Sequence, residues 1–158
     1  MRKEYDPLFS LLDDISKRLV HLSSLAEKKA EAVHEDDLMK LNEILNEEQA
    51  ETLAFRNLER NRVKLLEQLG LGDVALSQLP EHCPPELKNE AALHVGRVQE
   101  HFRAYKTASE KARSLMEQSI DEIDAILASA GRVQPQIGPG YNGESTTPPP
   151  NMKTDFRA

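Results

Sequence analysis

Between positions 85 and 130 the chain carries apolar residues at steps of three and four: Leu87, Ala91, Val95, Val98, Phe102, Tyr105, Ala108, Ala112, Leu115, Ile120, Ile123 and Leu127. That spacing, with one skip near Ser119, is one face of an α-helix, and no proline interrupts it. At 1.5 Å per residue such a helix is roughly 65 Å long. A compact domain of this size has a radius of gyration of about 15 Å, so the pattern predicts an elongated molecule.

Two earlier segments show the same period. Asp6 before Pro7 reads as a helix start, the carboxylate accepting from first-turn amides and proline suiting the first helical position. Leu8, Leu11, Leu12, Ile15, Leu19, Leu22, Leu25, Ala26 and Val33 form the stripe of this helix, which should end near His34. The cluster His34-Glu35-Asp36-Asp37 then precedes a new period at Leu38, Leu41, Ile44 and Leu45. Acids at a helix N-terminus face its positive dipole end, and Asp36 or Asp37 can cap free amides. So tight a break implies an antiparallel hairpin. The second helix continues through Leu53, Phe55, Leu58, Val63, Leu65, Leu66 and Leu69 until Gly70-Leu71-Gly72 stops it.

Between Asp73 and Pro84 the apolar residues Val74, Ala75, Leu76 and Leu79 allow a short helix of about two turns before Pro80. The third helix starts at Pro85 or Glu86 and ends at Gly131. The expectation is an all-α fold, an elongated antiparallel three-helix bundle built on a long helical hairpin. Its helices should cover about 7–34, 37–69 and 86–130, with a loop and short helix at 70–85. Residues 131–158 are rich in glycine and proline, including Pro148-Pro149-Pro150, and are expected to form a flexible, disordered tail. Val133, Ile137, Tyr141, Met152 and Phe156 punctuate it, the pattern of short anchors that order on binding.

Composition narrows the class. Of 158 residues, 39% are hydrophobic and 4% aromatic, with no tryptophan, which points to an aliphatic-cored helical protein. No apolar run approaches the ~20 residues of a membrane span, and the first residues lack the apolar core of a signal peptide. A cytoplasmic location without stable membrane insertion is expected. The single cysteine, Cys83, excludes an intrachain disulfide and a cysteine-rich zinc site. Net charge is −7, from 27 acidic and 20 basic side chains. The 131–158 segment carries +1 of this and the remainder −8. Neither part holds a basic stripe, so nucleic acid is not an expected partner.

Candidate chemistry is sparse. Glu31-Ala32-Val33-His34 has the Glu-x-x-His step of di-iron bundles, but those use two such motifs and two further glutamates. Here it occurs once, at a helix end, and reads as a charged terminus. His94 and His101 lie seven apart near one face, with Glu90 and Glu100 nearby, a looser set than zinc requires. Cys83 between His82 and Pro84 invites a thiol–imidazole nucleophile, yet no helix N-terminus or further orienting group supports one. Glu47, Glu48 and Glu51 read as the wet side of a charged helix. Gly138-Pro139-Gly140 follows no strand and opens no helix, so it is not a phosphate loop. Neither enzyme activity nor a metal or other cofactor is expected.

A binding module remains. If the first two helices span roughly 40 to 50 Å, the third outruns them and leaves part of its stripe uncovered. Leu115, Met116, Ile120, Ile123, Ile126 and Leu127 are the candidate exposed anchors. Two alternatives stand beside this. The stripe packs under the first helix in an ordinary bundle, or it pairs with a second copy in a homo-oligomeric coiled-coil scaffold or adaptor. Ser109, Arg113 and Ser119 interrupt a continuous heptad and weigh against the latter.

In layout the sequence resembles the FlgN-type flagellar export chaperones. The resemblance lies in the order of four pieces. These are the leucine-rich first helix; the break His34-Glu35-Asp36-Asp37-Leu38 followed by Leu41; the charged run Asn42-Glu43-Ile44-Leu45-Asn46-Glu47-Glu48 closing at Arg60-Asn61-Arg62-Val63-Lys64-Leu65-Leu66-Glu67-Gln68-Leu69-Gly70; and the long helix with its Gly/Pro tail. It implies a cytoplasmic type III export chaperone, monomeric when free. Such a chaperone binds hook-associated (hook-filament junction) proteins, keeps them unassembled and delivers them to the flagellar export gate. It places client binding in the C-terminal half, on the stripe from Leu115 to Leu127 with Val133 and Ile137. It also implies a tail tyrosine that docks on the cytoplasmic domain of the gate, matched here by Tyr141 within Ile137-Gly138-Pro139-Gly140-Tyr141-Asn142-Gly143. An asparagine often found midway along the third helix of these chaperones has no counterpart around Arg113 and Ser114.

Overall fold

The computed structural model describes residues 2–130, and these are helical with no strand among them. Three long helices, α1 (Arg2–His34), α2 (Leu38–Gln68) and α4 (Lys88–Ser129), are joined by a tight turn and by a segment holding the short α3 (Leu79–His82). α1 lies between the other two long helices and makes the most extensive packing with both. α2 runs back along it, so Arg18 meets Glu51 and, further on, Lys29 meets Glu48. α4 runs parallel to α1: Arg2 bonds Glu90 at one end, and His34 and Leu115 line one groove at the other.

Leu8, Leu12, Ile15, Leu19, Leu22 and Leu25 of α1 are fully buried, as are Phe55, Leu76, Leu79 and Val98 opposite them. Each such side chain contributes about 1.5–3 kcal/mol on burial. The main cluster fills the end of the bundle where the chain starts, and takes in Tyr5, Phe9, Cys83, Leu87 and Phe102. Toward the hairpin tip it gives way to a smaller group, Leu25, Ala32 and Ile44, with Leu41 against it.

The hairpin break follows from local chemistry. Asp36 takes a left-handed conformation (φ 55°) just past α1. The Asp37 amide then bonds the Ala32 carbonyl at 2.9 Å, the long-reach bond of a Schellman cap. The Asp37 carboxylate accepts from the Lys40 amide at 3.1 Å and caps α2. Gly70 (φ 75°) closes α2 in the same way, with the Leu71 amide on the Leu66 carbonyl at 2.8 Å and Leu71 buried beneath.

In three places the chain departs from the expectations of its sequence. α1 begins at Arg2, with Pro7 inside it, rather than at Asp6-Pro7. A proline so close to the start removes a single amide bond. The extra turn buries Tyr5 near Phe9 and brings Arg2 to Glu90, which offsets that loss. Pro80 lies in the first turn of α3 instead of ending a two-turn helix, since a missing amide costs nothing there. A 3-10 turn, Pro85–Leu87, precedes α4.

The side chains of α2 depart from expectation as well. Leu38, Leu53 and Val63 of its apolar set are 76%, 61% and 45% exposed, while Glu48, Glu59 and Arg62 are buried. Glu48 is therefore not on the wet side. Lys29 donates to both its oxygens, at 3.1 and 2.9 Å, with the two side chains only 4% and 11% exposed. Burial, then the nearby Glu48 carboxylate, push the Tyr105 phenol of α4 upward, which places this pair where the three long helices meet. Removing one partner of such a pair strands a buried charge. Lys29→Ala should therefore lower stability by about 3–5 kcal/mol, whereas Lys29→Met with Glu48→Leu should leave it unchanged or raise it by about 1–4 kcal/mol. Urea midpoints at constant slope measure both; a double variant as weak as the single would contradict the charge argument.

Candidate functional site

At 1.5 Å per residue, the 33 residues of α1 span about 50 Å and the 42 of α4 about 63 Å. Asp13 of α1 bonds His94 of α4, so α4 starts about five residues inside the start of α1 and projects past its end. Its last fully buried residue is Ala112. Leu115 lies level with His34, and beyond it run fourteen further helical residues, from Met116 to Ser129, or about 21 Å.

On this projecting segment Ile123 and Ile126 are 53% and 66% exposed, and Leu115, Met116, Ile120 and Leu127 are half-buried. The stripe expected to be uncovered is thus brought together on one continuous helix, with Ile123 and Ile126 as its most accessible members. Ala112 belongs to the core beneath the end of α1. Val133, Ile137, Tyr141, Met152 and Phe156 lie outside the described residues.

At the same end a groove of about 390 Å³ opens between α1 and α4. Ala30, Ala108 and Leu115 supply its floor, and Glu31, His34 and Lys111 its rim. Beside it stands the hairpin tip, where Leu38 and Met39 are 76% and 79% exposed. Sequence reasoning counted Leu38 toward the stripe of α2 and passed over Met39. The available signal was their place in the first turn after the Asp37 cap, where a helix has not yet met its neighbour.

The residues with potential chemistry are engaged in structure. Cys83 is buried in the main cluster, and burial pushes its thiol up, away from the reactive thiolate. His82 donates from Nδ1 to its own Gln78 carbonyl at 3.0 Å. His94 donates from Nδ1 to Asp13 at 2.7 Å and stacks on Phe9 with centroids 5.0 Å apart, so it ties α4 to α1. Among the described residues no group of three or more His, Cys, Asp or Glu side chains is arranged to hold a metal ion. None of the described helices is long and apolar enough to cross a membrane.

The end of α4 is thus apolar along one helix and edged with acids. The family model described as FlgN protein matches residues 1–148. Neither the curated proteins nor the solved structures give a significant match. The match covers nearly the whole chain, which belongs to the FlgN family of flagellar export chaperones.

Proposed function

We propose that this chain is a cytoplasmic export chaperone that binds hook-associated proteins, keeps them unassembled and delivers them to the flagellar export gate. The observation that carries the reading is the projecting end of α4, where Ile123 and Ile126 are exposed on a segment that runs past the end of α1. A contiguous apolar stripe of this kind marks an interaction site. A client segment that folds as a helix along it gains apolar contact, while the cost of ordering keeps affinity moderate. Release to the next partner requires that moderation.

In this reading Leu115, Met116, Ile120, Ile123, Ile126 and Leu127 hold the client, joined by Val133 and Ile137. Tyr141 docks on the cytoplasmic domain of the gate. The free chain is a monomer, and no cofactor or catalytic step is involved.

Full burial of an isoleucine is worth about 1.5–3 kcal/mol, and each 1.4 kcal/mol is tenfold in affinity. Ile123→Asp and Ile126→Asp should each weaken capture of a purified hook-associated protein about 10- to 100-fold in titration calorimetry, with the helical signal and melting temperature unchanged. Full-strength binding by both variants would remove the stripe from the interface. Loss of helix in both would return it to the core.

Deleting residues 131–158 should leave the unfolding midpoint where it is, because the buried apolar residues described lie between Tyr5 and Ala112. The same deletion should abolish binding to the cytoplasmic gate domain and weaken client capture. An unfolded truncated chain would show that the segment is structural.

A further inference from the structure

The three long helices are not held in the same way. α4 buries Ala91, Val95, Val98, Phe102, Tyr105 and Ala112, and none of these is charged. α2, 31 residues long, buries three apolar side chains, Ile44, Phe55 and Leu66, and three charged ones, Glu48, Glu59 and Arg62. Glu48 meets Lys29 of α1 across the interface at 2.9 Å. Arg62 pairs with Glu59 within α2, also at 2.9 Å, with the two side chains only 3% and 7% exposed.

Charge in an interface changes what opening costs. Apolar side chains lose free energy on exposure to water, whereas a buried carboxylate, ammonium or guanidinium recovers the hydration it gave up. Water therefore offsets part of the cost of lifting α2, and far less of the cost of parting α1 from α4 over Val98 and Phe102. The rim contacts of α2, Arg18 to Glu51 and His21 to Glu47, are partly exposed and add little.

Both ends of α2 carry a hinge. Among the described residues, Asp36 (φ 55°) and Gly70 (φ 75°) are the two in the left-handed region, and they bracket α2. Each is a single-residue break between rigid parts, the kind of position that absorbs a backbone rotation. Beyond Gly70 the chain has its own anchors, since Leu76, Leu79 and Leu87 are buried in the main core and α3 packs on α4. The contacts of His94 with Asp13 and Phe9 join α1 to α4 without any residue of α2.

We infer that α2 is a hinged cover that opens as one unit from a persistent α1–α4 pair, turning at Asp36 and Gly70, with Lys29–Glu48 as its latch. The open state hydrates Lys29, Glu48, Glu59 and Arg62 together. It displays Leu25 and Ala32 of α1, each 1% exposed in the closed bundle and packed with Ile44 and Leu41, on either side of the Lys29 ammonium. None of the residues assigned to the client takes part, so the device stands apart from the proposed export role.

Hydrogen exchange of the full chain in low urea, read by mass spectrometry of helix-resolved fragments, tests this. Amides of α2 should exchange as a block, at least about tenfold faster than the inner amides of α1 and α4 and with a shallower urea dependence, the signature of a sub-global opening. Lys29→Met with Glu48→Leu should slow the α2 block about tenfold or more, because the closed seam is then apolar. His94→Ala removes contacts that the open state retains. It should speed the inner amides of α1 and α4 and leave the rate of α2 unchanged.

Exchange of α2 at the rate of α1 and α4 overturns the inference, because the bundle then opens only as a whole. So does a His94→Ala chain in which α2 quickens as much as its neighbours, and so does a double variant whose α2 exchanges as fast as in the parent chain. The parent comparison needs no substitution and decides the matter by itself should a variant fail to fold.

Discussion

The alignment of α1 and α4 at their starts is the constraint from which the rest of the molecule follows. Tyr5, Phe9, Leu76, Leu79 and Leu87 share one core there, and polar contacts tie its rim, Arg2 to Glu90 and Asp13 to His94. The exposed Arg2 pair contributes little on its own. Its value is in register, because it faces the same way as the buried contacts beneath it. With the helices pinned at this end by the Asp13–His94 bond, the excess length of α4 emerges at the other. The projecting segment is thus a consequence of helix length and not of any special residue within it.

Packing quality falls in the same direction. Large side chains fill the pinned end, whereas the end near the tip relies on Leu25, Ile44 and small alanines such as Ala26, Ala30 and Ala32. Alanines bring helices close but bury little area per residue. The buried Lys29–Glu48 pair sits in this thinner region. Its desolvation cost offsets much of its attraction, so it adds specificity more than stability. A hairpin slipped by one turn would leave both charges buried without each other, which selects the observed register.

Much of this was legible in the sequence because it depends on local chemistry. Gly70 before a buried Leu71 specifies a Schellman close, Asp37 specifies a cap, and an unbroken three-four period specifies the long helix. The projection of α4 past α1 followed from comparing helix lengths, which needs no coordinates. What was not legible depends on neighbours. Pro7 within α1 is tolerated because Arg2 finds Glu90, 88 residues away in sequence, and Tyr5 joins the main core. Glu48 is buried because Lys29 lies opposite it, while Leu53 and Val63 share the period of α2 yet face outward. On a helix so rich in charge, the apolar stripe alone does not decide which face turns inward.

The distribution of acids bears on how readily an exposed apolar helix end could pair with a copy of itself. Two copies laid along their projecting ends would set Glu117, Asp121, Glu122 and Asp124 of one against the same residues of the other. Like charges held that close raise the free energy of the pair. At physiological salt the repulsion is felt within about 8 Å, the reach of side chains flanking a shared apolar seam. The acids thus raise the free energy of a paired copy of this chain without covering the apolar side chains between them.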